Sequence, residues 1–154
     1  MKPILVKSFS LLILGIFALT GCVRQPGASV DAKLEELPGT YRVLWSDGTP
    51  NDHNFTIENK NGDWYMSDEE QSQPLYKMTQ EEVEAVFGKE AAEKSQCLQT
   101  MGGASTIILC AGEPGVKTSV KVDDFVSYSK DFTTKTNHFV FIDYMGIWDM
   151  EKLK

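Results

Sequence analysis

Alternation of apolar and polar residues along the chain predicts a protein built mainly of β-strands. At Tyr41, Val43 and Trp45 every second side chain is apolar, and Asn61-Gly62 further along is a strong hairpin turn signal. A period of two places alternate side chains on opposite faces of a strand. The predicted strands are Thr40–Ser46, His53–Glu58, Asp63–Ser67, Gln96–Met101, Ser105–Ala111, Val116–Val122, Phe125–Ser129 and Phe139–Tyr144.

One segment has the pattern of a helix. Thr79 is followed three residues later by Glu82, the spacing of a capping box in which each side chain bonds the other's backbone N–H. An apolar stripe follows, Gly88 suits the helix end, and a second helical turn is expected over Lys89–Lys94. Before the helix, residues 68–74 are predicted to form a polar loop, and residues 75–78 are predicted to form a short apolar link. We therefore expect a β-rich α+β domain, a small antiparallel barrel or sandwich with one inserted helix.

Cys97 and Cys110 lie in the two strands predicted around Gly102-Gly103-Ala104. A two-residue turn at Gly103-Ala104 pairs residues whose numbers add up to 207, so the two cysteines face each other. They form a non-hydrogen-bonded pair, in which the Cα atoms approach to roughly 4.5 Å, within disulfide range. We expect a structural cross-strand disulfide, because the Cys-x-x-Cys spacing typical of a redox-active pair is missing.

Composition narrows the class of protein. The chain has 154 residues, 42% of them apolar, with 15 Lys and Arg against 22 Asp and Glu. This length excludes a multidomain enzyme and a polytopic membrane protein, and the apolar content excludes a wholly disordered chain. The net charge of -7 argues against nucleic-acid binding, which needs clustered basic residues.

The N-terminal segment has the features of a secretory signal. Lys2 and Lys7 form a short basic start, and an apolar run extends from Phe9 to Leu19. This run is about 11 residues long, whereas a helix that spans a membrane needs roughly 20. The pattern therefore predicts a signal peptide rather than an anchor helix.

The end of this segment, Leu19-Thr20-Gly21-Cys22, resembles the lipobox of bacterial lipoproteins, which is Leu, a small residue, Gly or Ala, and Cys. The resemblance covers this segment alone. It implies cleavage before Cys22, a diacylglyceryl group on the Cys22 sulfur, and anchoring in a membrane through acyl chains. In lipoproteins of this kind, an Asp directly after the lipidated Cys favours retention in the inner membrane. Residue 23 is Val, so the same resemblance implies an outer-membrane anchor that faces the periplasm.

This resemblance also sets the expected organisation of the chain. It implies a signal peptide over 1–21, a lipidated flexible tether over 22–38 and one β-rich periplasmic domain over 39–154. Loss of Lys2 and Lys7 with the signal leaves 13 basic against 22 acidic residues, so the net charge becomes -9. An oxidising periplasm is consistent with a disulfide between the two remaining cysteines.

Motifs for catalysis or metal binding are missing from the sequence. It contains no nucleophile elbow, phosphate-binding loop, zinc-protease motif or dinucleotide fingerprint. Asp52 and His53 could contribute to a metal site with His138, but a metal needs three or four converging ligands, and the sequence does not show that these three converge. Asp123-Asp124 is more typical of a solvated turn than of a glycosidase pair. We expect no enzyme activity, catalytic residue, metal or cofactor.

The expected function is binding of a protein partner. The segment from Asp63 to Glu93 contains nine acidic residues and only two lysines. The negative electrostatic field of such a segment attracts basic partners. The candidate partner-binding residues are Asp68, Glu69, Glu70, Glu81, Glu82, Glu84, Tyr65 and Tyr144. The concrete hypothesis is an inhibitor or immunity-type protein for a basic enzyme or toxin. The alternatives are an accessory lipoprotein of an envelope or secretion complex and a carrier of a small apolar ligand.

Overall fold

The computed structural model describes residues 33–103, 105–121 and 129–154. The lipobox, the first part of the predicted tether and 125–128 of one predicted strand lie outside the described residues. The described helices are α1, Gln80–Phe87, and α2, Lys89–Lys94. The described strands are β1 Gly39–Leu44, β2 Pro50–Lys60, β3 Asp63–Ser67, β4 Ser72–Lys77, β5 Gln96–Thr100, β6 Ile107–Ala111, β7 Lys117–Lys121, β8 Ser129–Thr133, β9 His138–Ile142 and β10 Gly146–Lys152.

Eight of these strands form a closed antiparallel barrel, which confirms the predicted fold class. The order around the barrel is β1-β10-β9-β6-β5-β4-β3-β2. β7 and β8 form a separate two-stranded ribbon between β6 and β9 in the sequence. None of the helices in the described part of the chain is long and apolar enough to cross a membrane.

Two strands of the barrel were not predicted from the sequence. The residues assigned to a polar loop and an apolar link contain β4, which pairs with both β3 and β5 and is needed to close the barrel. Its period-two signal is weak because Pro74 and polar residues surround Leu75, the one buried residue of the strand. The C-terminal residues 147–153, which were not predicted as a strand, contribute to β10 between β1 and β9.

The inward-facing side chains make the first of two cores. Tyr41, Ile57, Leu98 and Met150 are among the fully buried residues. A helical turn at 33–36 precedes β1 and fills one end of the barrel with Leu34 and Leu37. The Tyr41 hydroxyl donates to the Leu37 carbonyl at 2.8 Å. The stretch that can act as a tether therefore ends before Leu34.

A second core covers the outer face of β5, β6, β9 and β10. Phe87 of α1 packs edge-on against Phe139 and Phe141 of β9, with ring centroids 5.5 and 6.1 Å apart. Val116 and Val120, at the start of the ribbon and within it, join the same cluster. These strands are therefore buried on both faces, which explains why their sequences are apolar at consecutive positions.

Cys97 and Cys110 form the predicted disulfide. They lie opposite each other in the β5–β6 pair, with Cα atoms 4.1 Å apart and an S–S bond of 2.04 Å. Leu98 pairs with Leu109 in the same register, so the predicted pairing is confirmed. Both cysteines are buried in the outer core.

The capping box at Thr79 is also confirmed. The Thr79 hydroxyl accepts from the Glu82 N–H at 3.2 Å, and the Glu82 carboxylate accepts from the Thr79 N–H at 2.7 Å. Gly88 ends α1 with a φ of 88° and leads directly into α2. The inserted segment thus contains two short helices, the second of them at the expected turn.

Candidate functional site

The two ends of the barrel differ in how they are covered. The helical turn at 33–36, the helices and the base of the ribbon lie at the end where β1 begins. Four hairpin turns, 45–49, 68–71, 101–106 and 143–145, lie at the opposite end, because antiparallel neighbours reverse there. This second end is here called the open end.

A cavity of about 200 Å³ enters the barrel interior from the open end. We call it the mouth cavity. Its walls are apolar side chains from five strands, and polar groups stand at its edge. The apolar side chains that define it include Val43, Phe55, Met66, Ile107, Val140 and Ile142. The polar residues are Asn51, His53, Asn54 and Asp68.

An acidic cleft adjoins the mouth cavity. The cleft is defined by Asp52, His53, Asn54, Asp68, Glu69 and Glu70, and its volume is about 340 Å³. Its histidine, asparagine and one aspartate also line the cavity, so the two spaces are adjacent. A ligand that left the cavity on this side would pass directly over carboxylates.

Asp68 organises the turn beneath the acidic cleft. One of its carboxylate oxygens accepts the backbone N–H of Glu70 at 2.9 Å and that of Gln71 at 2.8 Å. These hydrogen bonds lower the pKa of Asp68, because they favour the charged form. Glu69 and Glu70 are thereby held on an exposed turn beside an ionised carboxylate.

Large apolar side chains are exposed at the open end. Tyr144 is 85% exposed, Met101 60%, Met145 56% and Trp45 40%, and all four lie in its turns. The turns bearing the first three are adjacent, since the Asp143 N–H donates to the Thr106 carbonyl at 2.9 Å.

Tyr144 also has an uncommon backbone conformation. Its φ is 62°, in the left-handed region that side chains with a Cβ rarely adopt. Its N–H is held by the Asp143 carboxylate at 3.0 Å, and the Met145 N–H donates to the Ile142 carbonyl at 3.0 Å. The tight turn therefore leaves the Tyr144 ring exposed to solvent.

The structure divides the predicted binding residues into separate groups. Asp68, Glu69, Glu70 and Tyr144 share the open end, where the 68–71 and 143–145 turns stand on opposite sides of the ring of strands. Glu81, Glu82 and Glu84 lie on α1, which connects strands at the other end.

Among the residues predicted to bind a partner, Glu82 and Tyr65 also make contacts within the protein. Glu82 is engaged in the capping box. Tyr65 is half-buried on β3, with the Lys60 ammonium 5.5 Å from its ring centroid. The predicted residues therefore do not form one continuous surface.

Sequence reasoning missed Met101, Met145 and the mouth cavity, and it considered His53 only as a possible metal ligand. Met101 was predicted as the last residue of a strand and no turn was predicted around Met145, so neither was recognised as an exposed turn residue. The cavity has no sequence signal, because it depends on which inward side chains meet across the barrel. His53 stands at the open end, whereas His138 is buried at the start of β9.

The charges at the open end share one sign. Its four turns contain five acidic residues and no Lys or Arg in the sequence: Asp47, Asp68, Glu69, Glu70 and Asp143. In the described part of the chain, no group of three or more His, Cys, Asp or Glu side chains is arranged to hold a metal ion.

Comparisons with known proteins give no relative. No protein-family model, curated protein or solved structure matches this chain. A functional assignment therefore rests on the chain's own residues and their geometry.

Proposed function

We propose that this chain is a membrane-anchored envelope lipoprotein whose barrel binds a protein partner through its open end. The observation that carries the proposal is the placement of Trp45, Met101, Tyr144 and Met145, four exposed apolar side chains in the turns of one end. Single exposed apolar residues are ordinary, but a group of them at one end of a domain, beside polar residues, is typical of an interaction surface. Aromatic residues and methionine are enriched in such surfaces.

The charge of the open end favours a basic partner. Five carboxylates in its turns, with no basic residue among them, produce a local negative field. Such a field raises the association rate of a cationic partner, and salt screens the effect. The concrete version is an inhibitor or immunity-type protein for a basic enzyme or toxin. An accessory lipoprotein of an envelope complex would use the same surface on a structural partner.

The size of the mouth cavity favours a protein partner over a carried ligand. Sites for whole small molecules usually measure about 300–1,000 Å³. The mouth cavity is smaller, at about 200 Å³. The filled end of the barrel, where Leu34 and Leu37 pack, leaves the interior without a passage through it.

Membrane anchoring is part of the proposal and is supported by the lipobox-like Leu19-Thr20-Gly21-Cys22. The described chain enters the barrel at the filled end, through the turn at 33–36. A lipid anchor on the N-terminal side of that turn would attach the protein through the filled end, opposite the open end.

Site-specific photocrosslinking in cells tests the proposal. A photoreactive residue in place of Tyr144 is expected to give one discrete protein adduct. The same residue in place of Glu81, exposed on α1 at the other end, is the matched control and should give none. Association of the identified partner with the purified protein should slow as salt is raised. Adducts of equal yield at both positions, or at position 81 alone, would contradict a binding surface at the open end.

A further inference from the structure

We propose that the mouth cavity is the pocket for one apolar side chain of the partner, and that a Lys or Arg beside that side chain lies in the acidic cleft. This inference rests on the proposed function and specifies the chemistry of its binding site. The occupant is a segment of a protein in which an apolar residue of the size of Leu, Met or Phe is flanked by basic residues.

The shape of the cavity supports a single inserted side chain. Val43, Leu109 and Val140 are buried and lie deep in the cavity, whereas Ile107 and Ile142 are half-buried nearer the turns. Further inside, the Tyr41 ring stacks on Phe55 at 5.9 Å and is itself fully buried. The cavity is therefore a blind apolar pocket that an anchor residue can enter but cannot pass through.

The volume of the pocket matches this occupant. At about 200 Å³ it has room for one large side chain and is smaller than the usual site for a complete small ligand. Interfaces commonly depend on one or two anchor residues that insert into desolvated pockets, while the surrounding contacts exclude water. The exposed Met101 and Met145 beside the pocket are suited to that surrounding role.

The acidic cleft determines what stands next to the apolar anchor. The cavity and the cleft share His53, Asn54 and Asp68, so the backbone of an inserted segment would lie over the 68–71 turn. Ionised Asp68 and the exposed Glu69 and Glu70 favour a cation there. The same carboxylates repel a fatty acid or an anionic lipid headgroup, which argues for a basic peptide segment.

Binding of short peptides to the purified protein tests the inference. The probe is the peptide Gly-Lys-Leu-Lys-Gly, and its controls are Gly-Lys-Ser-Lys-Gly and Gly-Glu-Leu-Glu-Gly. We expect the probe to shift the NMR methyl signals of Ile107 and Ile142 and to bind at least ten-fold more tightly than either control. Equal binding of the Ser or the Glu peptide, or shifts confined to other methyl groups, would overturn the inference.

Two kinds of variant test separately how the mouth cavity and the charge of the acidic cleft contribute to peptide binding. Ile142→Trp fills the cavity and should weaken the probe at least ten-fold, and Ile107→Trp serves if the first variant does not fold. Glu69→Gln with Glu70→Gln should weaken it three- to ten-fold at low salt. Glu81→Gln with Glu84→Gln makes the same charge change on α1 and should leave binding unchanged. Tighter binding of dodecyltrimethylammonium than of the probe would instead identify a carrier of cationic amphiphiles and overturn the peptide proposal.

The photocrosslinking experiment distinguishes failure of the pocket inference from failure of the proposed function. If a folded Ile142→Trp protein still forms the adduct at position 144, the open end binds the partner and the pocket inference alone is wrong. If wild-type protein gives no adduct at position 144, the proposed function itself is wrong.

Discussion

At the scale of single residues, the surroundings of His138 alter its protonation. It is buried at the start of β9, with its ring 5.1 Å from the Tyr41 ring. Burial, and to a lesser degree the nearby charge of Lys152, lowers the pKa of His138, while Glu36 partly opposes the shift. Within the described part of the chain its Nε2 has no hydrogen-bond partner. The folded protein therefore favours the neutral imidazole.

Acidification should destabilise the protein through this residue. The unfolded chain takes up a proton near the ordinary histidine pKa of about 6.5, whereas the folded chain resists it. The contribution of His138 to stability is thus complete above that pH and is lost as pH falls towards its lowered pKa. Urea unfolding at pH 7.5, 6.0 and 5.0 measures the effect.

The variant His138→Leu should lose less stability over this interval than the wild type. His53→Gln removes the exposed histidine and is the control, expected to follow the wild type. Identical pH profiles for the wild type and His138→Leu would show that the buried imidazole is not the responsible group.

At the same scale, some of the predicted binding residues are close in the sequence but far apart in the structure. Glu70 and Glu81 are close in the chain, and the acidic segment containing them predicts one surface. The six residues of β4 separate them, and a strand of that length spans about 20 Å, the height of the barrel. Because β4 was predicted as loop and link, the separation of the two acidic groups to opposite ends was not foreseen.

At the scale of elements, the β5–β6 hairpin shows what a local pattern does determine. The turn residues and the alternation of apolar and polar residues predicted the strand register of this hairpin. The predicted register places Cys97 opposite Cys110, as observed. β3 and α1 were similarly predictable, because each has its own turn or capping signals. β4 was not, since most of its stabilisation comes from two neighbouring strands rather than from its own sequence.

Removal of the disulfide should destabilise the barrel without preventing its formation. The bridge closes a loop with a sequence separation of 13, for which restriction of the unfolded chain contributes roughly 3 kcal/mol. Cys97→Ala with Cys110→Ala should therefore lower the free energy of unfolding by about 2–4 kcal/mol in urea titrations.

In protein made without residues 1–21, Cys22→Ser is the matched control, because residue 22 precedes the described barrel and its thiol is not part of the bridge. It should leave the free energy of unfolding unchanged. A double variant as stable as the wild type would mean that the bridge adds no net stability. A thiol assay under denaturing conditions should detect no free Cys97 or Cys110 in the wild type.

At the scale of the whole molecule, the two ends of the barrel differ in accessibility. Leu34 and Leu37 fill the end where the chain enters, while the hairpin turns leave the other end accessible. A period of two indicates which side chains face inward, but it does not indicate whether they meet across the barrel. The mouth cavity therefore emerged only from the assembled ring of strands.

The proposed anchor makes a prediction about the intact protein in cells. Cys22→Ser removes the thiol to which lipid would be attached, so the variant should carry no label from a fatty-acid precursor. It should also remain uncleaved by the lipoprotein signal peptidase, retaining 1–21. Mass spectrometry of the purified chain measures both, with Cys97→Ala as a control that should still be lipidated. A wild-type chain cut at another position and free of lipid would contradict the anchor.

Closure of the eight strands into a ring limits the ways in which a partner can be recognised. Every barrel strand is hydrogen-bonded to two neighbours, so the barrel has no edge to which a further strand could add. Recognition by β-augmentation, in which main-chain hydrogen bonds supply affinity whatever the sequence, is thereby unavailable to the barrel. A partner at the open end must be selected by its side chains, so substitution of a single anchor residue in that partner should be enough to abolish recognition.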